Sequence, residues 1–270
     1  MLIIRILRII FDSNYYFFLK NYNSSNKSIY NFKMGEVMNI EKSSVEILDN
    51  SNAVCNGCKL YYIHVKVNNI KQKAQEVMVN ILDKSWLKEL DNEIDYNSFL
   101  ARSEETINIL TEILKEIGNE IGAEFGEFLV SSVAQSTLEE TSQHTKFPLA
   151  EIWKEKVKGN PGFDFHTISN EDILFYGEAK FNMEDNAYPK AISQICKFIN
   201  KKKDIMELTD LKKLNSRINE KHLSKNARGY VAAFSIHNNF KNIFQTIQNN
   251  KNVKQYLQKY PELFFIGIEV

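Results

Sequence analysis

The chain has 270 residues, 43% of them hydrophobic and 25% charged, enough to bury a substantial core in one elaborated domain. Thirty-four basic side chains balance 34 acidic ones, so a nucleic-acid partner would have to be held by a local patch and not by the overall field. No apolar run reaches the length that spans a bilayer, and three cysteines predict a reducing, cytoplasmic setting without a disulfide framework.

The first 33 residues open with MLIIRILRII, whose arginines interrupt the apolar run, and continue through an Asn-, Tyr- and Ser-rich stretch. They lack the layout of a signal peptide. Two readings stay open for 1–33: an over-extended gene start ahead of Met34, or an N-terminal strand with a linker. Residues 34–100 read as an α+β region and 101–270 as the main domain. Cys55 and Cys58 form a C-x-x-C, but no second spaced pair completes the four ligands of a structural zinc site.

Residues 60–67 (LYYIHVKV) are rich in β-branched and aromatic types and predict a strand, and 72–90 predict a helix. From 103 to 133 apolar residues recur at three- and four-residue steps. A long helix or helix pair is expected there, with Gly118, Gly122 and Gly126 implying close packing, a kink or a break near Gly118. A short helix is expected over 149–158, closed by the Gly159-Asn160-Pro161-Gly162 turn. Two apolar runs, 162–168 and 173–181, joined by four polar residues, predict a β-hairpin. Beyond it, 187–208 reads as a helix with Pro189 in its first turn, 230–236 as a buried strand, 240–260 as a helix and 263–270 as a closing strand. This order implies an α/β fold, a mixed sheet flanked by helices with an N-terminal α+β extension.

The chemistry gathers in the hairpin. Asp164 lies between two phenylalanines and Glu178 between Gly177 and Ala179, so each carboxylate sits in an apolar context and calls for a cation beside it. Glu178 and Lys180 are two apart and share one strand face; Asp164 reaches that face if the register brings it opposite. Two hard oxygen ligands suit Mg²⁺ or Mn²⁺, and the lysine could orient or deprotonate a water or stabilise charge on phosphate. The bland alternative is that Asp164 caps a turn while Glu178 and Lys180 form an exposed edge-strand pair of little energetic weight.

PGFDF followed by YGEAKF resembles the D…ExK signature of the PD-(D/E)xK nuclease superfamily. The resemblance implies a restriction-endonuclease-like sheet, metal binding by Asp164 and Glu178, and assistance to hydrolysis by Lys180. It also implies a further glutamate from the preceding helix, where Glu120, Glu124 and Glu127 share one face. Glu127 is the first candidate there, also as a metal ligand, and Glu124 the second. Gln194 on the following helix is an additional candidate near metal or phosphate. More narrowly, GAEFGEFL, GFDFH and GEAKF in that order resemble the nuclease subunit of Hachiman-type anti-phage defence, with Ala123 where that pattern has a glycine. That likeness implies a magnesium-dependent endonuclease acting on DNA beside a helicase subunit. A stand-alone restriction endonuclease and a non-catalytic nucleic-acid-binding or assembly subunit are the alternatives, and self-association into a homo-oligomer stays open.

His166 follows Asp164 by two residues and reads either as a ligand or phosphate contact or as a structural strand histidine. Residues 197–228 hold ten Lys or Arg against four acids, and Lys197, Lys201, Lys202 and Lys203 are the nucleic-acid-binding candidates. No Walker loop, Rossmann fingerprint or HExxH helix is present, which removes nucleotide hydrolysis, dinucleotide redox chemistry and zincin proteolysis.

Overall fold

A computed structural model describes residues 45–116, 123–154, 162–237 and 240–270. The expectations for 1–33, for Glu120, for Gly118 and Gly122 and for most of the Gly159–Gly162 turn lie outside the described residues. The first hairpin joins β1 (Val45–Cys55) to β2 (Cys58–Val67) through Asn56 and Gly57, both at positive φ (54° and 81°). That pair of left-handed residues is the turn an Asn-Gly sequence favours between strands. The C-x-x-C spacing is therefore the closing pair of a hairpin, with Cys55 opposite Cys58.

An Asn69 side chain that accepts from the Gln72 N–H starts α1 (Ile70–Leu82). This helix is shorter than expected: the Asp83 side chain accepts from both the backbone N–H and the hydroxyl of Ser85, and a 3₁₀ turn (Ser85–Glu89) takes over. The long helical region divides into α2 (Glu93–Glu116) and α3 (Ala123–Ser142). Residue 100, the boundary read from sequence, falls within α2.

Next come β3 (Thr145–Lys146), α4 (Ala150–Trp153) and the expected hairpin, β4 (Phe165–Ile168) and β5 (Leu174–Lys180), paired antiparallel with Phe165 opposite Gly177. The helix expected over 187–208 ends earlier. α5 (Tyr188–Asn200) stops where Lys202 adopts φ 56°, and two short helices, α6 (Lys203–Met206) and α7 (Leu208–Leu214), follow. After β6 (Arg228–Ser235) the helix expected over 240–260 is also divided, because the Asn250 side chain caps a new start between α8 (Phe240–Asn249) and α9 (Lys251–Gln255). β7 (Glu262–Glu269) closes the fold.

The seven strands form one sheet in the order β1-β2-β7-β6-β5-β4-β3. β2, β7, β6 and β5 run parallel, and antiparallel hairpins finish both ends. Since β2 pairs with β7, the N-terminal hairpin shares its sheet with the rest of the domain. Leu174, Tyr176, Tyr230, Ala232, Phe234 and Phe265 face α5 and α8, whereas Phe175, Ala179, Val231, Ala233, Phe264 and Ile266 face α1 and α3. Every residue of β6 is buried, as a parallel strand covered on both faces must be. The α/β fold, with a mixed sheet between helices, is the one expected.

Candidate active site

Asp164 stands one residue before β4, where the hairpin strands begin to diverge. Its N–H donates to the Gly177 carbonyl (2.9 Å) and its carbonyl accepts from the Ala150 N–H (3.0 Å). Its Oδ2 accepts from the Ala179 N–H at 2.8 Å, which fixes the carboxylate against the β5 backbone between Glu178 and Lys180. Register thus brings Asp164 to the pair on β5.

On β5 the alternation of side chains puts Glu178 beside Lys180, with Nζ 2.8 Å from Glu178 Oε1. The same ammonium lies 3.2 Å from Glu127 Oε1 on α3 and 2.9 Å from the Ala179 carbonyl. α3 can come this close because Gly126 has no side chain; a Cβ there would stand 2.2 Å from Phe181 Cδ1. Glu178 is 1% exposed, and its Oε2 is buried with no hydrogen-bond partner. These burials contradict the exposed edge-strand alternative: β5 lies inside the sheet, between β4 and β6.

Electrostatics sharpen the picture. Asp164 keeps some exposed surface, but its carboxyl is enclosed by protein atoms, and burial pushes its pKa up to about 6 against the pull of Lys180 and the Ala179 N–H. Glu178 is held well above the ordinary range, first by burial and then by Asp164. Burial alone would lower the Lys180 pKa, yet Glu178, Asp164 and Glu127 together hold it above the ordinary lysine value. Two neighbouring buried carboxyls, one with an orphaned oxygen, form a donor set that fits a hard divalent cation. Among the described residues, however, no group of three or more His, Cys, Asp or Glu side chains is gathered as a ready-made cage. Glu127 is turned to Lys180 instead.

A family model described as HamA matches residues 36–266. The chain belongs to the HamA family. Membership makes it a Hachiman defence-associated protein. No curated protein matches the chain significantly. No helix among the described residues is long and apolar enough to cross a membrane.

The remaining candidates in this HamA-family chain are distributed unevenly. Glu124 lies on α3, three residues before Glu127, and its side chain is outside the described residues. Gln194 is half-buried on α5. His166 is fully buried among Trp153, Tyr176 and Phe147, with Nε2 2.7 Å from Glu207 Oε2, so its ring is drawn to Glu207. Burial lowers its pKa and favours the neutral imidazole.

The basic window is less available than its composition implies. Lys213 pairs with Asp95, Arg217 and Lys221 hold Asp172 in the β4–β5 turn, and Arg228 is buried against Asp204. Lys197, Lys201 and Lys202 are exposed and Lys203 is half-buried. They occupy the C-terminal end of α5 and the residues after it. The N-terminus of that helix is tied to Ser235 by the Ala187 N–H (3.3 Å), and Ser235 Oγ accepts from Asn182 N, two residues past Lys180. With a helix rise of about 1.5 Å per residue, the lysine cluster lies roughly 20 Å along α5 from the site's edge of the sheet.

Sequence reasoning missed Glu207 and Lys154. Glu207 Oε1 accepts from the Phe163 N–H (3.0 Å) and from Lys154 Nζ (2.7 Å), and Lys154 Nζ also donates to the Phe163 carbonyl (2.5 Å). Burial alone would raise the Glu207 carboxyl, but Lys154 and His166 hold it below its usual value. No local pattern announces a contact between residues 41 positions apart, such as His166 and Glu207.

Proposed function

We propose that this chain is a metal-dependent nuclease that hydrolyses DNA phosphodiester bonds as the effector of a Hachiman-type defence system. The observation that carries the reading is the unpartnered, buried Oε2 of Glu178 beside the enclosed carboxyl of Asp164. Asp164 and Glu178 would hold Mg²⁺ or Mn²⁺, with Glu127 joining from α3 when it leaves Lys180. Mg²⁺ is commonly held by one or two carboxylates and water, so two preformed ligands suffice. The ion supplies Lewis-acid polarisation of a phosphate oxygen and neutralises charge developing there.

The chain's own residues do the positioning. The Ala179 N–H fixes Asp164, and burial of Glu178 keeps competing water from its carboxylate. Lys180, its pKa raised by the surrounding carboxylates, is an ammonium at neutral pH. It therefore donates hydrogen bonds to a phosphate oxygen or an attacking water and stabilises negative charge; in that state it cannot accept a proton. Partners under this reading are DNA and a helicase subunit that would deliver it, and HamA membership favours this over a stand-alone restriction enzyme.

The test is plasmid cleavage with Mg²⁺ by the Glu178→Ala and Lys180→Ala variants, each checked for folding by circular dichroism. Both are expected to lose cleavage while remaining folded; full activity in both overturns the reading. A second reading, a non-catalytic nucleic-acid-binding or assembly subunit, is favoured by the Glu127–Lys180 ion pair, which occupies the ammonium. DNA binding that survives EDTA, with no cutting of any DNA or RNA form, would support it.

A further inference from the structure

A single buried carboxylate from outside the hairpin grips the chain on both sides of Asp164. Glu207, at the junction of α6 and α7, receives the Phe163 N–H on Oε1 and faces His166 Nε2 across 2.7 Å with Oε2. Lys154 neutralises it at 2.7 Å and ties the Phe163 carbonyl as well. The backbone is pressed so closely to this carboxylate that a Cβ on Gly162 would stand 2.0 Å from Glu207 Oε1. Residue 163 is thus held at both its N–H and its carbonyl, and residue 166 at its ring. Between them Asp164 is left one rotatable side chain, anchored to Ala179.

Burying Glu207 and His166 beside the half-buried Lys154 costs desolvation, and packing alone would be served as well by apolar side chains. The placement of the three groups around one four-residue segment distinguishes a clamp from a general core contact. A carboxylate that must meet a cation at a fixed distance and angle needs such support, because small displacements of a ligand weaken binding steeply.

We propose that Glu207 is the positioning residue of the site, fixing Phe163 and His166 so that the Asp164 carboxylate is aimed at the same point as Glu178. The inference rests on the reading of Asp164 as a ligand for a divalent cation. Glu207 touches neither substrate nor ion and acts through Asp164. The clamp also accounts for a buried histidine so near Asp164: its ring is one of the two handles by which Glu207 holds the segment.

The experiment is calorimetric titration of the full chain with Mn²⁺, alongside kcat and KM for DNA cleavage, in Glu207→Gln and, as reference, Asp164→Asn. The glutamine keeps the shape and its oxygen can still accept from the Phe163 N–H and Lys154, but it loses the negative charge that pairs with Lys154 and presents an N–H instead of an acceptor to His166 Nε2. Glu207→Gln is expected to weaken Mn²⁺ binding and to lower kcat, each about 10–100-fold, with KM little changed and the fold intact. A merely structural role would lower thermal stability and leave Mn²⁺ affinity of the folded fraction unchanged, and that result overturns the inference. If Asp164→Asn loses Mn²⁺ binding while Glu207→Gln keeps it, the positioning role fails and the site stands. If Asp164→Asn binds Mn²⁺ like the parent, the site itself fails and the inference with it. Should Glu207→Gln not fold, His166→Gln removes one handle only and is judged by the same Mn²⁺ affinity and kcat.

Discussion

The backbone of Gly126 in α3 rests on the ring of Phe181, one residue beyond Lys180, and this contact sets how near Glu127 comes to the ammonium. Alanine is the better helix former by about 1 kcal/mol, but here its methyl would stand 2.3 Å from Phe181 Cγ, an atom too near the backbone to swing away. Gly126→Ala is therefore expected to destabilise the protein by about 1–3 kcal/mol through overpacking. It should also pull Glu127 off Lys180. Urea denaturation reads the first effect and DNA cleavage the second; a more stable variant would show that α3 can retreat freely.

The two enclosed carboxyls predict an unusual pH response. Burial raises the Asp164 pKa to about 6 and holds the Glu178 carboxyl well above its ordinary range, so the fold favours their neutral forms. Their contribution to stability is present below the ordinary carboxyl range and is lost as pH rises through 6 and above. In EDTA, melting temperature should fall between pH 5 and pH 8, and Mn²⁺ should restore it more at pH 8 than at pH 5. An equal Mn²⁺ effect at both pH values would contradict this linkage.

Glu178→Gln tests the same burial from another side. The amide keeps the volume and removes the need to bury a charge, so the metal-free variant is expected to be more stable than the parent at pH 8 by about 1 kcal/mol or more, while cleavage is lost. Parallel urea melts and cleavage assays check both halves. A less stable Glu178→Gln would mean that the Lys180 pairing outweighs the burial.

His144 predicts the opposite pH trend at another place in the fold. It is 4% exposed, packed between Phe175 and Phe264, and burial lowers its pKa to about 4. A histidine with a depressed folded pKa lends stability above about pH 6.5 that is lost as pH falls towards 4, about 3 kcal/mol in all. His144→Gln should show a flatter stability profile between pH 7 and pH 4.5 than the parent, as read by urea denaturation at each pH.

The lysines after α5 can be tested through salt. If Lys201, Lys202 and Lys203 meet phosphates, their joint replacement by alanine should make the plot of log affinity against log salt shallower by about 2–3, with kcat at saturating DNA unchanged. An unchanged slope would remove this end of α5 from the DNA path.

The parts of the fold legible in the sequence are those whose neighbours are local or whose burial is complete. β5, β6 and β7 read as apolar runs because helices cover them on both faces, and the Glu178–Lys180 pair follows from two-residue alternation. β1 carries no such signal at its centre, since Asp49, Asn50 and Asn52 are types depleted in strands, and among the described residues the strand is an edge with one open side. Asn56-Gly57 was the hairpin's mark, hidden inside a spacing that also resembles a metal motif. The helix breaks at Lys202 and Asn250 leave hydrophobic periodicity nearly intact, so capping and a left-handed residue, not pattern, decide them. At the site, the two residues on β5 were readable, whereas the Glu207 clamp arises only when α6 folds back over β4.

Lys180 has three N–H bonds, and the protein provides three acceptors for them: Glu178, Ala179 and Glu127. On the proposed reading, a phosphate oxygen arriving at Lys180 would evict one of them. Glu178 is buried and the Ala179 carbonyl belongs to the same strand, which leaves Glu127, the longest of the three at 3.2 Å and 38% exposed, as the contact that yields. Under the proposed function, docking of DNA at Lys180 and release of the Glu127 carboxylate would be a single exchange, in which the arriving phosphate itself frees a further oxygen on α3 for the cation.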